Sequence, residues 1–310
     1  MRVLFWGTPD FAIPSLGALI GEGHDVVGVV TRPDRPAGRG RRLRASPVKK
    51  AALEEGLPVL TPEHPRGEAF LNALRLLDPQ ISIVVAYGHI LVPEVLELPE
   101  LASWNVHASL LPELRGAAPV NWAIARGYET TGITIMRMTA GMDEGPILLQ
   151  REVPIAPDDT ASVLYARLSE LGAEALVEAL GLLEAGMVKP REQDHARATY
   201  APKLDRDGAR VDWRRTAVEI ARHVRGMDRI PGAWTTLDGE AIKLFRPAVV
   251  EAGREAAEGE ILVADPAEGL LVRAGQGAVR IGEVQPSGKR QMKAVDWLRG
   301  GGALVGDTFL

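Results

Sequence analysis

The sequence predicts an α/β fold with a mostly parallel sheet, followed by a smaller domain of antiparallel strands. Two short apolar runs, residues 3–6 and 25–30, flank a stretch with helical spacing, which is the pattern of a βαβ unit. Residues 81–86 are apolar at almost every position, as in strands that are buried on both faces of a parallel sheet. Beyond Ala233 the chain changes to short strands separated by glycine turns, which favours a small barrel.

Periodicity and turn residues extend these expectations along the chain. Helices are predicted over residues 11–22, 46–56, 68–77, 93–98, 118–126, 161–185 and 216–227. Further strands are predicted over residues 101–107, 131–138, 147–153, 241–245, 259–263, 270–274 and 278–284. We therefore expect a first domain over residues 1–188, a polar linker without periodicity over residues 189–208, and a β domain over residues 209–310.

Composition excludes several classes of function. The 310 residues include no cysteine, so thiol nucleophiles, disulfides and thiolate metal sites are excluded. No pair of histidines has metal-ligand spacing, and we expect no metal. No apolar run approaches the roughly 20 residues needed to span a bilayer, and Met1 leads directly into a predicted strand. We therefore expect a cytoplasmic protein without a membrane segment or a leader.

A cluster of positive charge lies between residues 32 and 50, although the net charge of the chain is −5. Asp34 is the only acidic residue there, and the positive residues are Arg32, Arg35, Arg39, Arg41, Arg42, Arg44, Lys49 and Lys50. Prolines and glycines within the cluster predict an exposed loop. A solvated charged loop is one interpretation. Because so many like charges repel one another, we favour binding to a phosphate backbone.

Three polar residues form the candidate catalytic set. Asn105 and His107 are two positions apart at the end of a predicted strand, so both side chains lie on one face. Asp143 lies on a loop framed by Gly141, Gly145 and a proline. An amide and an imidazole can stabilise an oxyanion, and a carboxylate can orient the imidazole or move a proton. The set suits attack of an amine on a carbonyl, in acyl or formyl transfer. The alternative is a structural Asn and His at a strand end.

Motifs along the whole chain resemble the methionyl-tRNA formyltransferase family of the formyltransferase superfamily. The Asn-x-His pattern with a later Asp marks the superfamily, whereas other runs narrow the resemblance to the tRNA enzymes. These runs are Gly-Thr-Pro-Asp-Phe-Ala (7–12), Arg-Pro-Asp-Arg-Pro-Ala-Gly-Arg-Gly (32–40), Ser-Leu-Leu-Pro-Glu-Leu-Arg-Gly-Ala-Ala-Pro (109–119) and Gly-Met-Asp-Glu-Gly-Pro (141–146).

The resemblance implies a Rossmann-like, mostly parallel sheet in a catalytic domain over residues 1–188, and an OB-like barrel that binds tRNA over residues 209–310. It implies formyl transfer from 10-formyltetrahydrofolate to the α-amino group of methionyl initiator tRNA, without a metal, with Asn105, His107 and Asp143 as the catalytic residues. The expected folate-binding residues are Tyr87, Gly88, Ile90, Ser109, Leu110, Leu111, Pro112 and Gly141. The expected tRNA-binding residues are Arg35, Arg39, Arg41, Arg42 and Arg44.

Three rival functions remain open beside this one. A small-amine formyltransferase, acting on a nucleotide sugar or a ribonucleotide, shares the catalytic set but does not need the basic loop or the β domain. A 10-formyltetrahydrofolate hydrolase uses water in place of the amine. A non-catalytic RNA-binding protein on the same scaffold does not need an intact Asn105, His107 and Asp143. We expect a monomer.

Overall fold

The computed structural model describes residues 1–37, 42–251 and 255–310. The chain forms two compact units. The first unit comprises residues 1–119, 131–154 and 165–201, and the second comprises residues 120–130, 155–164 and 202–310.

The elements up to residue 201 follow the predicted α/β order. The strands are β1 (Arg2–Gly7), β2 (Asp25–Val30), β3 (Arg35–Ala37), β4 (Arg42–Arg44), β5 (Val59–Leu60), β6 (Ile81–Val85), β7 (Ser103–His107), β8 (Arg115–Gly116), β9 (Thr130–Arg137), β10 (Ile147–Pro154) and β11 (Tyr200–Ala201). The helices are α1 (Ile13–Gly21), α2 (Pro47–Glu54), α3 (Glu68–Leu77), α4 (Pro93–Leu96), α5 (Pro119–Ala125) and α6 (Ala161–Glu184).

The central sheet has seven strands in the order β10-β9-β7-β6-β1-β2-β5. Strands β7, β6, β1, β2 and β5 are parallel to one another, and β9 is antiparallel to β7. The predicted mostly parallel sheet is therefore confirmed. The chain passes from β1 to β2 on one side of β1, and later to β6 on the other. This reversal of strand order creates a crevice at the carboxyl ends of the strands, where open α/β sheets bind their ligands.

Local sequence explains the two central strands. All five residues of β6 are buried, and Leu4, Phe5 and Trp6 of β1 are fully buried. Such uniformly apolar strands fit a parallel sheet that is covered on both faces. The helix α2 begins where the Ser46 hydroxyl accepts a hydrogen bond from the backbone N–H of Lys49, with Pro47 in the first turn.

Two regions differ from the sequence-based expectation. Within the region predicted as an exposed loop, β3 and β4 pair in antiparallel register, so the prediction was wrong about the secondary structure of these two strands. We call this pair the arginine hairpin. The two residues of β11, within the segment predicted as a linker, pair in parallel with β8. Strands of two residues carry too little pattern to be recognised from sequence.

The second unit contains an antiparallel sheet. Its strands are β12 (Trp234–Leu237), β13 (Glu240–Val250), β14 (Ile261–Asp265), β15 (Gly269–Arg273), β16 (Ala278–Pro286) and β17 (Met292–Lys293), and its later helices are α7 (Ala217–Gly226) and α8 (Ala294–Arg299). The strand order is β12-β13-β16-β15-β14, and β17 pairs with β16. The four predicted strands correspond to β13–β16, whereas β12, β17 and α8 were not predicted.

The C-terminal segment joins the two edges of this sheet. On one side, the backbone N–H of Ile261 donates to the Asp307 carbonyl at 2.8 Å, and the N–H of Phe309 donates to the Gly259 carbonyl at 2.9 Å. On the other side, Thr236 and Leu310 exchange two backbone hydrogen bonds of 3.0 Å. The segment therefore supplies backbone hydrogen-bond partners at both ends of the strand order, beside β12 and beside β14.

Candidate active site

Asn105 and His107 lie on β7, next to the carboxyl end of β6. Val84 is paired in register with Asn105, and His107 is paired with Thr134 of β9. The His107 residue is only 5% exposed, whereas Asn105 is half-buried. The strand therefore holds the two side chains on one face at the ligand edge of the sheet, as the two-residue spacing predicts.

The imidazole of His107 is fixed through its Nε2 atom. This nitrogen lies 3.0 Å from the carbonyl oxygen of Leu114. A carbonyl can only accept a hydrogen bond, so Nε2 carries a proton and donates. Leu114 has a φ of 59°, a left-handed conformation that a bulky residue rarely adopts. The Nδ1 edge of the ring is consequently left for the chemistry.

The carboxylate of Asp143 faces this Nδ1 edge. Its Oδ2 atom lies 3.7 Å from Nδ1 of His107, and it accepts a hydrogen bond of 2.8 Å from the backbone N–H of Gly116. Asp143 itself has a φ of 49°, which aspartate tolerates better than most residues. The structure thus brings together His107 and Asp143, which are far apart in the sequence.

Gly116 is required by the backbone around Asp143. Its φ is 117°, and a Cβ atom at this position would lie 2.7 Å from the carbonyl oxygen of Ala201. Any side chain would therefore push β8 away from β11 and move the N–H that binds Asp143.

The backbone after His107 is anchored by buried hydroxyl groups. The Ser109 hydroxyl donates to the Glu113 carbonyl at 2.6 Å. The Thr134 hydroxyl donates to the Ser109 carbonyl at 2.6 Å and accepts from the Leu111 N–H at 3.1 Å. The Gln150 amide donates to the Leu111 carbonyl at 3.0 Å. The main chain of the predicted folate segment, residues 109–112, is thus held in one shape by the protein itself.

The other predicted folate residues follow β6. Tyr87 is 1% exposed, Gly88 is exposed with a φ of 82°, and Ile90 is 85% exposed. Burial raises the pKa of the Tyr87 hydroxyl to about 12, although the positive charge of Arg32 opposes this shift. The Tyr87 hydroxyl and the Nε2 atom of His89 are buried without a hydrogen-bond partner in the described part of the chain.

His89 lies beside these residues in a positively charged setting. Burial lowers the pKa of its imidazole, and the nearby Arg32 and Arg35 guanidinium groups lower that pKa further. The Arg32 Nη2 atom donates to the Gly88 carbonyl at 3.0 Å. At the carboxyl end of β6, the Arg32 guanidinium therefore lies near two polar atoms, the Tyr87 hydroxyl and His89 Nε2, that have no hydrogen-bond partner in the described structure.

Gly141 lies on the loop between β9 and β10, residues 138–146, which carries Asp143. We call this segment the Asp143 loop. A Cβ atom on Gly141 would overlap the carboxylate of Glu144. A cavity of about 690 Å³ borders the same loop, and its lining includes Thr139, Glu144 and Gly145. The cavity therefore borders the loop that carries Asp143, but neither Asp143 nor His107 lines it.

The arginine hairpin exposes its positive charges. Arg35 and Arg44 face each other across the strand pair, and both residues are exposed. Asp34 pairs instead with Lys49, at 2.8 Å between the oxygen and nitrogen atoms. The single acidic residue of the region is thus neutralised by a lysine. The predicted tRNA-binding residues Arg39 and Arg41, and the side chain of Arg42, lie outside the described residues.

Sequence reasoning missed two contributors to the site. The Leu114 carbonyl holds His107, and the buried side chain of Gln193 donates to the backbone carbonyls of Asp143 and Gly145. Neither contact leaves a motif, because one uses a main-chain oxygen and the other joins residues 50 positions apart.

The described ranges, 1–37, 42–251 and 255–310, contain neither a candidate metal cluster nor a helix that could span a membrane. No group of three or more His, Asp or Glu side chains there is placed to hold a metal ion. Within the same ranges, no helix is long and apolar enough to cross a membrane.

Comparison with known proteins identifies the family. Residues 1–180 match the family described as formyl transferase, and residues 203–302 match the formyl transferase C-terminal domain. A methionyl-tRNA formyltransferase from Geobacter sulfurreducens is 45% identical over 300 residues, which cover 97% of this chain and 94% of that protein.

Two solved structures share the fold. Methionyl-tRNA formyltransferase from Clostridium thermocellum has a TM-score of 0.59 and 16% identity, covering 84% of this chain and all of that chain. HypX from Aquifex aeolicus in complex with tetrahydrofolic acid has a TM-score of 0.64 and 21% identity, covering 96% of this chain and 47% of that chain. The family patterns and the identity along nearly the full length show that this chain belongs to the methionyl-tRNA formyltransferase family.

Proposed function

We propose that this chain transfers the formyl group of 10-formyltetrahydrofolate to the α-amino group of methionine esterified to initiator tRNA. The observation that carries the proposal is the set of Asn105, His107 and Asp143 at the carboxyl edge of the sheet, in a chain of this family. The amine nitrogen forms a bond to the formyl carbon, the bond from that carbon to N10 of the folate breaks, and N10 takes up a proton.

The Asn105 amide stabilises the negative charge that develops on the formyl oxygen. An amide N–H is a preorganised donor, and such donors contribute most when they face developing charge in a dry site. Nε2 of His107 is already bound to the Leu114 carbonyl. The imidazole can therefore donate to the same oxygen only from Nδ1, when that atom carries a proton.

The Nδ1 edge of His107 and the carboxylate of Asp143 form the route for the proton. An α-amino group has a pKa of about 7.7 to 8.0, so much of it is neutral near neutral pH. The enzyme needs mainly to position the amine and to take its proton after attack. The carboxylate of Asp143 lies 3.7 Å from Nδ1. It orients the imidazole, and it accepts the proton of the amine through Nδ1 or through a water molecule.

The crevice at the ends of β6 and β7 fits a folate. Tyr87 and His89 each leave a buried polar atom without a partner in the described structure, and Ile90 offers an exposed apolar surface beside them. A pterin ring needs both kinds of contact. Folate supplies an activated one-carbon acyl group, and the folate-bound neighbour HypX supports its use by this fold. The segment 109–112 and Gly141 complete the proposed folate contacts.

The arginine hairpin is the proposed contact for the tRNA acceptor arm. Arg35 and Arg44 are exposed, and the acidic residue nearest to them in sequence is paired with Lys49. A polyanion that replaces its counterions with these arginines gains affinity in a salt-dependent way. Arg39, Arg41 and Arg42 are the other proposed contacts in this loop.

We assign catalysis to a domain of residues 1–188. Residues 209–310 form a second domain that also contacts the tRNA acceptor arm, and residues 189–208 link the two domains. We further propose that the protein is a cytoplasmic monomer. Two exposed arginines support tRNA binding by the second unit. The guanidinium groups of Arg206 and Arg210 lie 5.0 and 5.4 Å from the ring centre of Trp234, an arrangement that presents a flat cationic surface.

A transfer assay tests the proposal. The protein is incubated with 10-formyltetrahydrofolate and, separately, methionyl initiator tRNA, glycinamide ribonucleotide, an amino-sugar nucleotide or buffer alone. Rapid formylation of the tRNA alone is the expected result. Transfer to one of the small amines would identify a small-amine enzyme, and release of formate into buffer at the same rate would identify a hydrolase. Folate or tRNA binding without any turnover would contradict catalysis.

A further inference from the structure

The segment just before residue 202 runs beside the loop that carries Asp143 and beside residues 114–116. We call residues 191–201 the strap. At its start, Arg191 exchanges two backbone hydrogen bonds of 2.7 and 2.8 Å with Ile147, just after the Asp143 loop. At its end, Ala201 pairs with Gly116, which binds the Asp143 carboxylate. Between these ends, the Thr199 hydroxyl accepts from the N–H of Leu114 at 2.9 Å.

Gln193 is the side chain of the strap that contacts the Asp143 loop. It is 5% exposed. Its Nε2 atom donates to the Asp143 carbonyl at 2.9 Å and to the Gly145 carbonyl at 2.7 Å. One buried amide therefore bridges two backbone carbonyls of the Asp143 loop, and one of them belongs to the residue whose carboxylate faces His107.

Arg115 fixes the orientation of this amide. Its Nε and Nη2 atoms lie 3.2 and 2.7 Å from Oε1 of Gln193. A guanidinium can only donate, so Oε1 must face Arg115, and both protons of Nε2 must then face the two loop carbonyls. Arg115 is 3% exposed, and Nη2 also contacts Nδ1 of His195 at 3.1 Å. The hydrogen bonds that link Arg115, Gln193 and the Asp143 loop therefore have only one arrangement in which every donor faces an acceptor.

We propose that Gln193 is a positioning residue that sets the Asp143 carboxylate against Nδ1 of His107. The proposal deepens the proposed function and rests on it. Gln193 holds the main chain of Asp143, and Gly116 holds its carboxylate. A catalytic group must stay within about 0.5 Å of its productive position, and a displacement of about 1 Å can cost roughly 10²-fold in rate.

The test compares Gln193→Ala and Gln193→Glu with Asp194→Ala. Gln193→Glu keeps the size and the contact with Arg115 but sets an acceptor oxygen against two carbonyl oxygens. Asp194→Ala is the matched control, because it removes a hydrogen bond of the adjacent strap residue, to the Ala196 N–H at 3.1 Å, without touching the Asp143 loop. Each variant is the full chain, and thermal unfolding is recorded for each.

We expect kcat for formylation of methionyl initiator tRNA to fall about 10- to 100-fold in both Gln193 variants. KM for the tRNA and for 10-formyltetrahydrofolate should stay within about threefold, and Asp194→Ala should retain nearly all of the activity. Since loss of packing alone gives no such division between kcat and KM, this pattern indicates positioning.

A double-mutant cycle sharpens the result. In single-turnover reactions with excess enzyme, Gln193→Ala is combined with Asp143→Asn. If Gln193 acts through Asp143, Gln193→Ala should lower the single-turnover rate by less than about threefold in the Asp143→Asn background. Equal losses in the two backgrounds would overturn the proposal, as would wild-type kcat in both Gln193 variants. A wild-type chain that formylates no tRNA would overturn the proposed function, and this inference with it.

Discussion

The Asp143 loop and the arginine hairpin, both in the first unit, use their polar groups in opposite ways. Around Asp143, the carboxylate is bound by the Gly116 N–H and the loop carbonyls by Gln193. In the hairpin, Arg35 and Arg44 are exposed. Groups that must hold one geometry for chemistry are fixed by the chain itself, whereas groups that bind a polyanion are left for the partner to satisfy.

This difference predicts which kinetic constant each region controls. A change at the Asp143 loop should alter kcat, because it moves or removes a group that acts on the reacting atoms. A change at the arginine hairpin should alter the affinity for tRNA and its dependence on salt. Two predictions test this division and two further predictions concern buried or half-buried polar groups outside both regions; the largest expected effect comes first.

Replacing Asp143 should almost abolish turnover. Asp143→Asn keeps the shape but removes the charge that faces Nδ1 of His107 at 3.7 Å. We expect kcat to fall about 10³-fold, within the range of general acid–base catalysis, and thermal unfolding to change little. Asp78→Asn is the matched control, because Asp78 also has a left-handed φ, of 46°, but is exposed. Similar rates for Asp143→Asn and Asp78→Asn would remove Asp143 from the catalytic set.

Removing two arginines of the hairpin should weaken tRNA binding. The double variant Arg35→Ala, Arg44→Ala should raise Kd for initiator tRNA about tenfold near 100 mM salt. If each arginine neutralises one phosphate, the slope of log K against log salt should become shallower by about 1.8. The turnover at saturating tRNA should change little.

The control removes two arginines that are already paired with carboxylates. Arg75 pairs with Glu68 and Arg151 with Glu178, so Arg75→Ala, Arg151→Ala lowers the net charge of the protein equally. An equal loss of affinity in both double variants would show that net charge, rather than the hairpin, attracts the tRNA.

A half-buried histidine of the second unit should make stability depend on pH. Burial lowers the pKa of His223 below its usual 6.5, and Arg215 contributes to the shift. Below about pH 6.5 the unfolded chain binds this proton and the folded chain does not, so the stability of the fold should decrease as the pH falls. Urea unfolding between pH 7.5 and 5.5 measures this loss. In His223→Gln that part of the pH dependence should be absent, and an unchanged profile would contradict the assignment.

Removing the Tyr87 hydroxyl should have the smallest effect on stability. In the described structure this buried hydroxyl has no hydrogen-bond partner, so Tyr87→Phe discards a polar group whose burial is unfavourable. We expect the free energy of unfolding of the ligand-free protein to change by less than about 0.5 kcal/mol, or to increase. Tyr87→Ala, which also removes the ring packed 5.2 Å from Trp6, should cost several kcal/mol. A loss above about 1 kcal/mol in Tyr87→Phe would mean that the hydroxyl is satisfied in solution.

The sequence was sufficient for features that repeat or alternate. The apolar run of β6 predicted a buried parallel strand, and the spacing of Asn105 and His107 predicted one shared face. It was insufficient where the structure depends on contacts between single groups distant in the chain. Gln193 lies in a polar segment with no periodicity, and its partners are backbone carbonyls about 50 positions away. The Leu114 carbonyl is invisible for the same reason, since any residue type supplies one.

The strap also determines where this protein can be divided into parts. Residues 1–180 match the N-terminal family pattern, and a fragment ending there would contain Asn105, His107 and Asp143. It would lack Gln193, Thr199 and the strand that supports Gly116. A transplantable catalytic module must therefore extend to Ala201, the last residue of the first unit. Recombination that exchanges residues 202–310 between relatives should succeed only when its crossover falls after Ala201, because an earlier junction imports a strap fitted to a different loop.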